Sequence, residues 1–314
     1  MSVARSNFES RISTLRDSLG DPALADGPPT TIQKNAVAGM LRNGLAVLAF
    51  AITEDFIRDR TAEILKGFSA ATVKFDDLSE DLQQAVTLAA LSGILYRANY
   101  QEKTDRVSWV LSELTPVLRA KTDVTHLSAY SFGQSTSNIG QDVPSNILSA
   151  FGVAGGWTTI GSTAKRIGLG GVLDYAQGFK DIANRRHLAA HNAATKIPLD
   201  DLANSIKTIL GICCSFDLLI SHALAIHNKG TIPHKKNSPV SDKNLTFKFI
   251  SPHPAKTGKY RLQVETSDRS ALRTVKVCAS LSDARIKAAE ITNPRNAYLV
   301  LLRSDGIPES WETD

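Results

Sequence analysis

The 314-residue chain is short of several things, and each shortage excludes a class of protein. It has three cysteines, two of them adjacent (Cys213 and Cys214). That is neither a disulfide framework nor a zinc pattern, and reduced thiols point to a cytoplasmic protein. No apolar run reaches the roughly 18 uninterrupted residues of a membrane helix. The nearest, "ILGICCSFDLLISHALAI" from Ile209 to Ile226, is broken by Asp217, His222 and serines and reads as a buried helix. The first residues, "MSVARSNFESRISTLRDSL", are amphipathic and already contain acids, without the apolar core of a signal peptide. No internal repeat is present. With hydrophobic residues at 42% and charged residues at 21%, the composition is that of an ordinary folded protein with no membrane association.

Strand-like alternation is almost absent before Lys229. Leu41, Leu45, Leu48, Ile52 and Phe56 mark one face of a helix within 31–68, and 82–101 and 106–121 read as further helices. Pro198 ends one helical run, and Asp200 or Asp201 can cap the next. That next helix carries Leu202, Ile206, Ile209, Cys213, Phe216, Ile220 and Ala223 in steps of four and three, a stripe that packs lengthwise on another helix. Glycine-rich 151–171 has Gly156 and Gly161 at phosphate-loop spacing. Ser162 stands where the lysine belongs, so a flexible connection between helices is the expectation.

Charge and periodicity both change near Lys229. Residues 1–228 hold 21 Lys and Arg against 22 Asp and Glu; residues 229–304 hold 15 against 5. The stretch 229–243, "KGTIPHKKNSPVSDK", has linker composition. Beyond it, "LTFKFIS", "KYRLQVET", "RTVKVCAS" and "AYLVLLRS" read as four strands, with a short helix over 282–290. The expected organisation is mainly α: an all-helical domain over 1–228, a linker over 229–243, a small basic α+β module over 244–304 and an acidic tail over 305–314 that shields or docks on the basic surface. Lys248, Arg261, Arg273 and Lys276 lie among Phe247, Phe249 and Tyr260, a mixture suited to tracking a phosphate backbone while rings stack on bases. A solvated basic surface is the plainer alternative.

The candidate site is "RRHLAAHN", Arg185 to Asn192, ending a helical run that begins near Val172. Val172, Ala176, Phe179 and Ala183 step along one face, and the same stepping arrives at Arg186 and Ala190. A guanidinium thus occupies a position the pattern assigns to an apolar side chain, where desolvation is costly. His187 and His191 are four apart and share a face beside it. An imidazole can give or take a proton near neutrality, and an arginine can hold a phosphate and offset charge in a phosphorane-like transition state. Together they suit metal-free RNA cleavage by the neighbouring 2′-hydroxyl. Two other readings stay open. The arginine can reach out to a helix end with both histidines as ordinary surface residues, or the histidines can form a metal pair, although two ligands are too few and no HExxH glutamate follows.

"RHLAAH", Arg186 to His191, resembles the Arg-polar-x3-His motif of HEPN domains, and the flanking "FKDIANRRHLAAHN" is most similar to their RiboL-PSP group. The resemblance implies a HEPN-like helical bundle and a metal-independent, cofactor-free endoribonuclease acting on an RNA substrate, usually in toxin–antitoxin or antiphage systems. It also implies a homodimer with both motifs in one cleft, and an antitoxin or another defence protein as a possible partner. By position Arg186 would bind phosphate, His191 would be the acid/base, and His187 would assist or orient. Asn192 departs from the frequent glycine, which bears on the local turn. Glu54 or Asp55 on the early helix would orient a histidine. The rival reading is a non-catalytic helical dimer acting as a nucleic-acid-binding or regulatory component.

Overall fold

The computed structural model describes residues 2–69, 71–134, 138–192, 194–230, 239–266, 269, 271–291 and 297–313. Most of the stretch with linker composition, 231–238, lies outside them. The helices are α1 (Val3–Ser18), α2 (Ile32–Leu65), α3 (Glu80–Gln84), α4 (Ala90–Ala98), α5 (Arg106–Arg119), α6 (Asp142–Ala150), α7 (Trp157–Ala164), α8 (Tyr175–His191) and α9 (Leu199–Asn228). The long α2 and α9 form the centre of the bundle. Both are long and apolar enough to cross a membrane by composition, but 78% of the apolar window of α9 is buried inside the fold. The predicted α9 stripe from Leu202 to Ala223 is buried throughout, and Thr208 to Ser221 is buried on every face. The α2 stripe is only half as predicted. Ile52 and Phe56 are buried, whereas Leu41 and Leu48 are exposed, because the inward face runs through Ala38, Ala46, Ala49, Phe50 and Ile57.

Glycine-rich 151–171 is not a loose connection. It folds as α7, which starts at Gly156 with φ +47° and packs against α9. Gly168 follows with φ +95°, a backbone shape that favours glycine; a Cβ there would meet the Gly306 carbonyl oxygen at 2.5 Å.

After α9 come β1 (Phe247–Pro252), β2 (Tyr260–Glu265), β3 (Leu272–Cys278), α10 (Leu281–Glu290), β4 (Tyr298–Leu302) and β5 (Pro308–Glu312). The sheet order is β3-β2-β1-β4-β5, with β1 and β4 parallel and the other pairs antiparallel. The tail read as a separate acidic segment is therefore the fifth strand. Its Pro308 and Trp311 are buried, and alternation over five residues is too short a signal to separate from a polar terminus.

The sheet does not stand apart from the helices either. One face holds Ile250, Leu262, Cys278 and Leu301 under α10. The other carries Phe247, Phe249, Tyr298, Val300 and Trp311 into the same core as α1, α2 and α9. Arg166, just after α7, clamps the junction. Its guanidinium donates to both Glu265 oxygens at 2.7 and 3.0 Å and to the Asp242 and Leu245 carbonyls, and lies 4.7 Å over the Phe247 ring. This overturns the expected stacking platform. Phe247 and Phe249 are completely buried, and the ammonium of buried Lys248 donates to the Ala288 and Ile291 carbonyls at the end of α10. Arg273 and Lys276 remain exposed on the edge strand β3.

Candidate functional site

The motif lies on the last turns of α8. Asp174 caps the start of that helix, accepting from the Gln177 amide at 3.0 Å, and Tyr175, Phe179 and Ile182 are its buried anchors, Phe179 edge-on to Phe50 of α2 at 5.7 Å. The helix ends at Asn192, which is extended with φ −128° and ψ 101°. No left-handed residue is needed there. The Asn192 side chain instead accepts from the Ala194 amide at 3.0 Å, an Asx-type turn that accounts for asparagine at this position.

His187 and His191 are exposed on the outward side of α8, with ring centroids 4.7 Å apart. Among the described residues no group of three His, Cys, Asp or Glu side chains is placed to hold a metal ion. Arg186 points elsewhere. It is half-buried, and positions 186 and 191 are about 140° apart around the helix axis, so its guanidinium and the His191 ring diverge. Its charge reaches Glu54 of α2, one of the two acids expected to orient a histidine. Burial pushes the Glu54 carboxyl above the ordinary range, opposed by the Ile139 amide that donates to it and by Arg58 and Arg186. The Arg58 guanidinium is 3.8 Å from the same carboxylate. The other acid, Asp55, pairs with Arg11 at 2.9 Å on the surface. Among the described residues neither acid is found on a histidine: Glu54 serves the arginines instead.

Two side chains that the sequence reading did not single out hold the loop after the motif. Arg42, buried in α2, donates to the carbonyls of Ile197 and Leu24, each at 2.7 Å. Asn43 beside it donates to the Thr195 carbonyl at 2.7 Å and accepts from the Ile197 amide at 3.3 Å. Ala46, Ile197, Leu202 and Ala189 close a small apolar cluster beneath. The exit of α8 is thereby tied to the N-terminal third of α2. An arginine followed by an asparagine inside the apolar stretch 36–52 of α2 was the available signal. Arg185 turns away from Arg186, toward α9, with Asp201 Oδ2 and Ser205 Oγ each at 3.5 Å.

A family model described as RiboL-PSP-HEPN matches residues 6–222. No curated protein and no solved structure matches the chain.

Proposed function

The chain belongs to the RiboL-PSP-HEPN family, and from that premise we propose that it is a metal-independent endoribonuclease. The observation that carries the reading is the outward-facing His187/His191 pair at the end of α8, one residue beyond Arg186. His191 takes the proton from a ribose 2′-hydroxyl, the 2′-oxygen attacks the adjacent phosphorus, and the bond to the 5′-oxygen breaks as that oxygen takes the proton from the His191 imidazolium. The product ends are a 2′,3′-cyclic phosphate and a 5′-hydroxyl. Arg186 offsets the negative charge of the phosphorane-like transition state, and His187 orients or assists. Because Arg186 and His191 diverge within one chain, the working site is composite: two copies meet motif to motif, and Arg186 of one faces His191 of the other. Exposed Leu188, between the histidines, and exposed Val37 and Met40 on α2 provide apolar contact area for such a pairing. The biological setting is a toxin or antiphage effector, with an antitoxin or defence protein as its partner.

The test is RNA cleavage by the purified dimer in EDTA. His191→Ala is expected to lower the rate about 10²- to 10⁴-fold. Arg186→Ala should be comparably impaired, His187→Ala milder, and DNA should not be cut because it lacks the 2′-hydroxyl. Growth arrest on expression should follow the same order. A His191→Ala protein that cuts RNA at the wild-type rate sinks the proposal. The half-burial of Arg186 beside Glu54 favours one second reading, a non-catalytic helical dimer with that arginine in a structural role. In that case no variant changes an RNA-cleavage signal, and Arg186→Ala lowers stability alone.

A further inference from the structure

On the side of α8 facing away from Glu54, α8 and α9 separate around an open cleft of about 670 Å³. Asp181 and Arg185 line it from α8, and Asn204, Ser205 and Lys207 from α9. The volume lies within the roughly 300–1,000 Å³ of small-molecule sites.

The two helices touch at the bottom of the cleft. A Cβ on Gly178 would come within 2.7 Å of the Thr208 methyl group. The first turns of α9 present the polar side chains Asn204, Ser205 and Lys207 to α8. The opening is thus lined by these hydrogen-bonding groups together with apolar Val172, Leu173 and Ile307.

Several of those groups have capacity to spare. The nearest acceptors of Arg185, both at 3.5 Å, are at the outer limit of hydrogen bonding, so its forked donors are weakly committed. Asp181 accepts from Gln177 at one carboxylate oxygen, at 2.7 Å, and its second oxygen takes no hydrogen bond among the described residues. Asn204 and Lys207 are exposed at the mouth. Two cations, a carboxylate oxygen and an amide therefore converge on one concavity. Between it and His191, α8 exposes Asn184, His187, Leu188 and Ala190. Arg185 and His191 are about 9 Å apart along the helix axis and about 120° apart around it, so a strand that engages both wraps part-way around the end of α8.

We propose that this cleft is a nucleotide subsite, in which Arg185 and Lys207 hold a phosphate while Asp181 and Asn204 hydrogen-bond the polar edge of the base. It would seat a nucleotide flanking the cleaved bond and so set base preference, a role that rests on the endoribonuclease reading. Binding itself does not depend on cleavage, which keeps the two claims separable.

The experiment is calorimetric titration of the full chain with each of the four ribonucleoside 5′-monophosphates and with inorganic phosphate. The wild type is expected to bind at least one nucleotide ten times more tightly than phosphate. The double variant Asn204→Ala/Lys207→Ala, altered only at exposed positions, should lose that affinity at least tenfold, and so should Arg185→Gln. Nucleotide binding that the variants lose supports the subsite even in a protein that cuts no RNA. Absence of nucleotide binding up to millimolar concentration, phosphate binding as tight as the nucleotide, or variants equal to the wild type would each overturn it.

Discussion

Asp217 has no exposed surface and still carries its charge. Burial alone would raise its carboxyl, but Arg60 and Arg5 beside it outweigh that and bring it below the ordinary carboxylate range. The Arg60 Nε lies 2.5 Å from one oxygen and the Arg5 Nε 2.7 Å from the other, and the Trp311 indole N–H donates at 2.7 Å. A carboxylate with three such donors joins α1, α2, α9 and β5 at one point. Removing one side of a buried ion pair costs about 3–5 kcal/mol, and Asp217→Asn should lose an amount of that order in urea denaturation at pH 7. The sign of the pH effect follows from the lowered folded value. The contribution is complete above the ordinary carboxylate range and is lost as pH falls through the folded value. The difference between wild type and Asp217→Asn should therefore shrink in acid. A constant difference down to pH 2 would contradict this account.

At the scale of elements, β5 and α1 form a clasp. Trp311 lies edge-on to Phe8 and Phe56, at 6.0 and 6.4 Å, and its backbone N–H donates to Glu9 at 3.1 Å. Desolvation raises the Glu9 carboxyl to about 7, despite that hydrogen bond and nearby Arg5. Here the sign is opposite to that of Asp217. A folded value above the unfolded one means the folded state holds the proton more tightly, so stability falls as pH rises from about 4.5 to about 7. Glu9→Gln should flatten this slope, as read from midpoints of thermal unfolding at pH 5 and pH 7.5. An unchanged slope would remove Glu9 from the clasp. The same scale explains a misread element. The glycines of 151–171 imitate a loop in composition, but Gly156 starts α7, and Gly168 lets the β4–β5 turn approach the backbone closely.

For the whole molecule, composition changes at Lys229 while packing continues across it. Phe247, Phe249 and Trp311 complete a core that Phe8, Phe56 and Phe151 begin. His222 of α9 and Tyr298 of β4 share a hydrogen bond at 2.8 Å, and Val153 pairs with Val240 as a parallel bridge. Truncation at Lys229 would leave that apolar surface in water. The shortened chain should be insoluble, or soluble only as an expanded state that binds a hydrophobic dye and has lost its near-ultraviolet dichroism. A monodisperse, cooperatively unfolding 1–228 fragment would show instead that the helices need no sheet.

The helical class, the α9 stripe, four of the five strands and the family were legible in the sequence, because each is carried by local periodicity or by residues adjacent in the chain. The sequence also placed Arg186 on an inward seam, where the fold has it half-buried. Only tertiary structure decided what that arginine meets. Glu54 lies 132 positions earlier in the chain and comes near Arg186 through the packing of α2 on α8. The same holds for the clamp of Arg42 and Asn43, the cleft beside Arg185 and the burial of the sheet aromatics. Alternation along a strand marks its two faces but not what covers them, and here helices cover both.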